Sequence, residues 1–98
     1  MIFNIDFDER ALKEWYKLDK FIQTQFKKKL KQLQNNPHIE SARLHGDLAS
    51  CYKIKLRSSG FRLVYQVIDE EIVILVIAVG KREDKKVYVT ANTRLNNQ

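Results

Sequence analysis

A single cysteine, Cys51, rules out an intramolecular disulfide, and a chain without such staples suits a reducing compartment better than secretion. One proline and three glycines leave few places for long irregular loops. No apolar run approaches the roughly 18 residues of a membrane-spanning helix; the longest, Ile72 to Val79, has eight. The opening Met-Ile-Phe-Asn-Ile-Asp-Phe-Asp has neither the basic start nor the apolar stretch of a secretory signal, so a cytoplasmic location with no membrane partner is expected. The one cysteine and two histidines match no zinc-ligand spacing, and Gly-rich phosphate loops are absent, so no metal and no cofactor are expected. Negative charge is scarce as well, with 12 acidic against 18 basic residues and a net charge of +6.

What is present describes a folded chain. The 98 residues, 44% hydrophobic and 31% charged, fit one domain spanning 1–98, able to bury about two thirds of its unfolded surface. The positive charge is local. Residues 1–19 carry three basic and five acidic side chains (−2), residues 20–68 carry ten and two (+8), and the rest balance five against five. A concentrated basic surface points to a polyanionic partner, nucleic acid first and an anionic membrane second.

The clearest pattern lies at 51–66, Cys-Tyr-Lys-Ile-Lys-Leu-Arg-Ser-Ser-Gly-Phe-Arg-Leu-Val-Tyr-Gln, which reads as two strands and a tight turn. Tyr52, Ile54 and Leu56 alternate with Lys53, Lys55 and Arg57, and Phe61, Leu63 and Tyr65 alternate with Arg62, Val64 and Gln66. An even connection, either Ser58-Ser59 or Arg57 to Gly60, sets Leu56 opposite Phe61 and Lys55 opposite Arg62. An odd one would bury cations beside the aromatic row, at the cost of desolvating unpaired charge. Lys53, Lys55 and Arg62 are therefore expected in one cationic patch. Like charges facing across a hairpin are destabilising, which suggests an anionic ligand; the competing reading is a solubilising sheet face.

Around this hairpin, Phe3, Ile5 and Phe7 mark a first strand. Asp8 offers a helix cap, followed by Ala11, Leu12, Trp15 and Leu18 at helical spacing, with Arg10, Lys13, Glu14 and Lys17 turned outward. Asp19 can cap a second helix, in which Phe21 or Ile22, Phe26, Leu30 and Leu33 keep the period until Asn35-Asn36-Pro37; its lysines Lys27, Lys28, Lys29 and Lys31 read foremost as a solvated face. Asp69-Glu70-Glu71 makes a turn into Ile72 to Val79, apolar throughout like a central strand buried on both faces. The tail from Lys85 lacks a convincing apolar stripe and reads as a weak helix. The expected fold is α+β: a mostly antiparallel four-stranded sheet, an N-terminal helical hairpin packed on one face, and a short mobile C-terminal helix.

Three chemistries can be weighed from the residues. A Cys51 nucleophile needs a histidine beside it and carries no signature, so a structural thiol is the better reading. A two-histidine ribonuclease using His38 and His45 would suit cleavage by a ribose 2′-OH, but both lie in a loop with no visible orienting partner. The third uses the cations of the hairpin with Arg82 and Tyr88: arginines can neutralise a pentacovalent phosphorane, an aromatic ring can stack a base, and a lysine crowded by other cations can become a base.

Three stretches, Asp-Phe-Asp-Glu-Arg-Ala-Leu-Lys-Glu-Trp at 6–15, the hairpin extended to Asp69, and Val-Gly-Lys-Arg-Glu at 79–83, resemble the RelE toxins of bacterial toxin–antitoxin pairs. The resemblance implies a ribosome-dependent endonuclease that cuts mRNA in the A site by 2′-OH attack, leaving a 2′,3′-cyclic phosphate without a metal. It maps the family's catalytic set onto Lys53 (base), Arg82 (leaving-group acid or its electrostatic equivalent), Lys55 and Arg62 (transition-state charge) and Tyr88 (orienting and stacking). His45 stands where the family is expected to carry an RNA-contacting arginine. The implied partners are the ribosome (mRNA and rRNA) and a RelB-like antitoxin that displaces the C-terminal helix, with operator DNA reached only through the antitoxin complex. Two rivals remain, a ParE-like gyrase poison of the same architecture and a non-catalytic basic nucleic-acid-binding domain.

Overall fold

The computed structural model describes residues 2–48, 50–81 and 86–96. Among them the chain runs β1 (Asn4–Phe7), α1 (Glu9–Tyr16), α2 (Lys20–Leu33), two short 3-10 turns at Glu40–Ala42 and Gly46–Leu48, β2 (Cys51–Leu56), β3 (Phe61–Ile68), β4 (Val73–Lys81) and α3 (Lys86–Asn96). One sheet has the order β1-β4-β3-β2. β2 with β3 and β3 with β4 are antiparallel, whereas β1 joins β4 in parallel. The sheet is thus mixed at one edge, because everything from α1 to β3 intervenes between β1 and β4 and a crossover that long permits parallel pairing.

Local chemistry sets the helix ends. Asp8, in extended backbone, accepts the Arg10 N–H at 2.9 Å and starts α1. The Asp19 carboxylate makes no such capping bond; the α1–α2 corner is instead fixed by Gln23, whose Nε2 donates to the Trp15 carbonyl at 2.8 Å. Both helices lie on one face of the sheet, burying Ala11, Trp15, Ile22, Phe26 and Leu30 against Tyr52, Ile54, Leu63, Tyr65 and Val76. Trp15 bridges Phe7 and Phe26 at ring separations of 5.2 and 6.2 Å. Each large side chain buried here contributes about 1.5–3 kcal/mol. Of the pair at the start of α2, Ile22 is the buried one and Phe21 is exposed.

β4 carries a bulge that decides what the other face looks like. Val64 pairs with Ala78 but Tyr65 pairs with Val76, leaving Ile77 as the extra residue. The alternation therefore slips by one: Ile74 and Val76 face α1 and α2, Ile77 and Ala78 both face α3, and Val79 returns to the first side. Against Ile77, Ala78, Val64 and Cys51, α3 lays Val87, Ala91 and Leu95 at spacings of four. That stripe is narrow, about one residue per turn, so the tail carries little apolar pattern in sequence. Val89 is exposed. Glu14 departs from its expected outward place on α1: its side chain is two-thirds covered and reaches β4.

Candidate active site

The hairpin turn is the four-residue option, Arg57 to Gly60. Gly60 adopts φ +80°, a left-handed conformation that favours glycine, and its N–H donates to the Leu56 carbonyl at 2.8 Å. The even count puts Leu56 opposite Phe61, Lys55 opposite Arg62 and Lys53 opposite Val64. Tyr52, Ile54, Leu56, Leu63 and Tyr65 turn into the core under α1 and α2. Alternation sends Lys53, Lys55 and Arg62 to the α3 side, where α3 covers the base of the hairpin through Cys51 and Val64. Lys55 is exposed, while Lys53 and Arg62 are half-buried.

Crowding has an electrostatic consequence. The Lys55 ammonium is held below the ordinary lysine range, first by the charge of Lys53, then by that of Arg62, with smaller contributions from lost hydration, a hydrogen-bonding approach by Lys53, and Arg57. The cluster thus contains a lysine biased towards its neutral form.

From α3, Tyr88 completes this surface. Arg62 Nη1 donates to the Tyr88 hydroxyl oxygen at 3.0 Å, and the guanidinium carbon lies 5.9 Å from the ring centroid. Because the phenol oxygen accepts, its own proton remains available to donate. Gly80 is the residue of β4 paired with Arg62, so no side chain on that strand obstructs the guanidinium. Val87 fixes the first turn of α3 over the same glycine, 3.9 Å from where a Cβ would stand. Lys53, Lys55, Arg62 and Tyr88, distant in sequence, are therefore brought to one face. Arg82 lies outside the described residues.

This chain matches, over residues 5–86, the family model described as ParE toxin of type II toxin-antitoxin system, parDE. The mRNA interferase toxin RelE of Escherichia coli strain K12 is 57% identical over 95 residues, which is 97% of this chain and 99% of that protein. A RelE-like toxin protein of Escherichia coli reaches 62% identity with the same coverage. The chain belongs to the RelE/ParE family of type II toxins. Its backbone agrees: a mutant of E. coli toxin RelE in the free state superposes with a TM-score of 0.88 at 56% identity, covering 97% of this chain and 99% of that one. The toxin in the intact E. coli RelBE toxin–antitoxin complex superposes at 0.79 with 59% identity, over 83% and 98%.

Within this RelE-family chain the other sequence candidates find different places. Cys51 is fully buried, and loss of water pushes its thiol up to about 11, so it is protonated at neutral pH and serves as core. His38 does have orienting partners, which the sequence concealed. Its Nδ1 meets the Tyr52 hydroxyl at 2.8 Å and its Nε2 the Asp69 carboxylate at 2.8 Å. Tyr52 stacks on Tyr65, whose hydroxyl donates to the Pro37 carbonyl at 3.0 Å. This network ties the loop after α2 to β2 and the β3–β4 turn, and Tyr52 places it on the α1–α2 side of the sheet. His45 is exposed in its loop and takes no part in it. Among the described residues, no three His, Cys, Asp or Glu side chains are grouped to hold a metal.

Proposed function

We propose that this toxin is a ribosome-dependent mRNA endoribonuclease, that residues 1–98 form its one catalytic domain, and that Lys53, Lys55, Arg62, Tyr88 and Arg82 form its site. The observation carrying this reading is the convergence of two lysines, Arg62 and an Arg62-bonded tyrosine on one open sheet face. It is joined by the name mRNA interferase toxin RelE on a relative 57% identical over nearly the full length.

The chemistry follows from the side chains. The lysine pair takes the proton of the ribose 2′-OH, Lys55 being pressed towards its neutral form by the neighbouring charges of Lys53 and Arg62. The O2′ oxygen attacks phosphorus, Arg62 and the remaining ammonium charge stabilise the added negative charge, and the P–O5′ bond breaks to leave a 2′,3′-cyclic phosphate and a 5′-hydroxyl. Arg82 supplies charge, or a proton, at the leaving oxygen; an arginine at its ordinary pKa favours the former, and the leaving oxygen then takes its proton from solvent. Tyr88 stacks the base and donates its free O–H towards the phosphate. The ribosome positions the RNA, which a small open site cannot do unaided. A site on the ribosome places the toxin in the cytoplasm, and a RelB-like antitoxin neutralises it, operator DNA being reached through that complex.

Primer extension on translated mRNA tests this. Wild type yields codon-phased cuts, and Arg62→Ala, Arg82→Ala and Tyr88→Ala each lower the cleavage rate by about 10²–10³-fold, the scale of losing one charge-stabilising contact. Undiminished cutting by these variants removes their side chains from the mechanism. The family model's ParE description favours one alternative, a gyrase poison; uncut mRNA together with inhibited supercoiling selects it.

A further inference from the structure

β1 pairs with β4 only as far as Val76, so among the described residues no strand pairs with β4 on its β1 side beyond that point. Two side chains from different helices occupy the gap. Glu14 Oε1, from α1, accepts the Val79 N–H at 3.3 Å, and Arg94 Nη1, from the last turn of α3, donates to the Ile77 carbonyl at 2.8 Å. The same two atoms meet each other at 2.7 Å. Arg94 has 12% and Glu14 33% of its side chain exposed, so the pair is shielded from water and is not one of the weak surface kind. It sits at the bulge residue Ile77, whose displaced carbonyl is what Arg94 reads.

We infer that the Glu14–Arg94 pair is a positioning latch that clamps α3 against the edge of β4 beyond Val76 and thereby holds Tyr88 on Arg62. The apolar contacts of α3 come from Val87, Ala91 and Leu95 with part of Tyr88, and the Glu14–Arg94 pair adds a polar anchor at the far end of the helix. Arg94 lies six residues beyond Tyr88, about 9 Å along the helix, so it pins the far end while Val87 packs at the near end. Neither residue touches the Tyr88–Arg62 contact. They act on it through the seating of the helix. The catalytic relevance of the latch rests on the nuclease reading; its hold on α3 does not.

The test combines cleavage with exchange. In Glu14→Ala, single-turnover cleavage of ribosome-bound mRNA falls about ten-fold, the drop expected when the seated helix becomes a one-in-ten population, while ribosome binding stays within about two-fold of wild type. Amide exchange of α3 rises relative to β3 and β4. Glu14→Gln, which keeps the acceptor oxygen for Val79 and Arg94, restores most of both. Added to Tyr88→Ala, Glu14→Ala costs little more, since no tyrosine remains to be positioned. Arg94→Lys provides a second variant should Glu14→Ala fold poorly, and it is expected to loosen α3 in the same sense. Wild-type cleavage with unchanged α3 exchange in both variants overturns the latch, and so does an equal loss in the Tyr88→Ala background. If wild type cuts no mRNA, the nuclease reading fails and α3 exchange alone decides the latch.

Discussion

A cationic site must hold its charges close enough to work and hydrated enough to fold, and Lys55 shows how this chain meets both demands. It stands opposite Arg62 and one alternation from Lys53, yet it is exposed, so water relieves part of the repulsion. Its pKa is lowered chiefly by Lys53. Removing that charge in Lys53→Met is therefore expected to raise the Lys55 pKa back towards the ordinary lysine value, read from the pH titration of its Nζ or Cε resonance. The sign carries over to stability. A lysine whose folded pKa is depressed binds fewer protons than the unfolded chain between the two pKa values, so wild-type stability rises with pH across that alkaline window. Lys53→Met flattens the rise. No change in the Lys55 titration would mean that the two ammonium groups do not share one electrostatic environment.

At the scale of elements, the sequence was informative wherever periodicity alone decides. The register of β2 against β3, the apolar β4 and the first-helix cap at Asp8 all follow from alternation, run length and one side-chain bond. Contacts that join remote segments were not legible. Nothing local tells that β1 runs parallel to β4, that Ile77 bulges, or that Glu14 meets Arg94 across 80 positions, because these depend on where whole elements come to rest. The same holds for His38, whose partner Asp69 is 31 residues away. One local cost was equally hidden. Ile72, entering β4 from the turn, has φ +56°, a left-handed conformation costly for a β-branched residue. Ile72→Asn, a residue that tolerates this region, is expected to stabilise the fold by up to about 1 kcal/mol in denaturant unfolding. A loss instead would mean that the half-buried isoleucine side chain outweighs the strain. At the other end of the scale, Asp8→Ala should cost about 1 kcal/mol through the lost cap of α1.

For the whole molecule, the question is how far the positive surface extends beyond the reacting groups. The segment 20–68 carries the +8 excess, and the fold does not spread it evenly. A groove of about 580 Å³ runs round the edge strand β2 to α2, where Lys29, Gln32 and Asn36 face Lys53, Lys55 and Arg57. Lys27 and Lys31 instead flank a separate, largely apolar hollow beside β1. Lys27, Lys29 and Lys31, neighbours in one charged run of the sequence, are thus divided by the helix turn between two sides. If RNA phosphates bind along the groove, each contact releases counterions and adds roughly 0.7–0.9 to the slope of log affinity against log salt concentration. Lys29→Ala is then expected to lower that slope for ribosome association by about one, while Lys27→Ala and Lys31→Ala leave it unchanged and Tyr88→Ala affects cleavage far more than the slope. Sedimentation binding over a range of potassium chloride concentrations measures all four. An unaltered slope in Lys29→Ala would confine the phosphate contacts to the sheet face, leaving α2 as the solvated helix its lysine run first suggested.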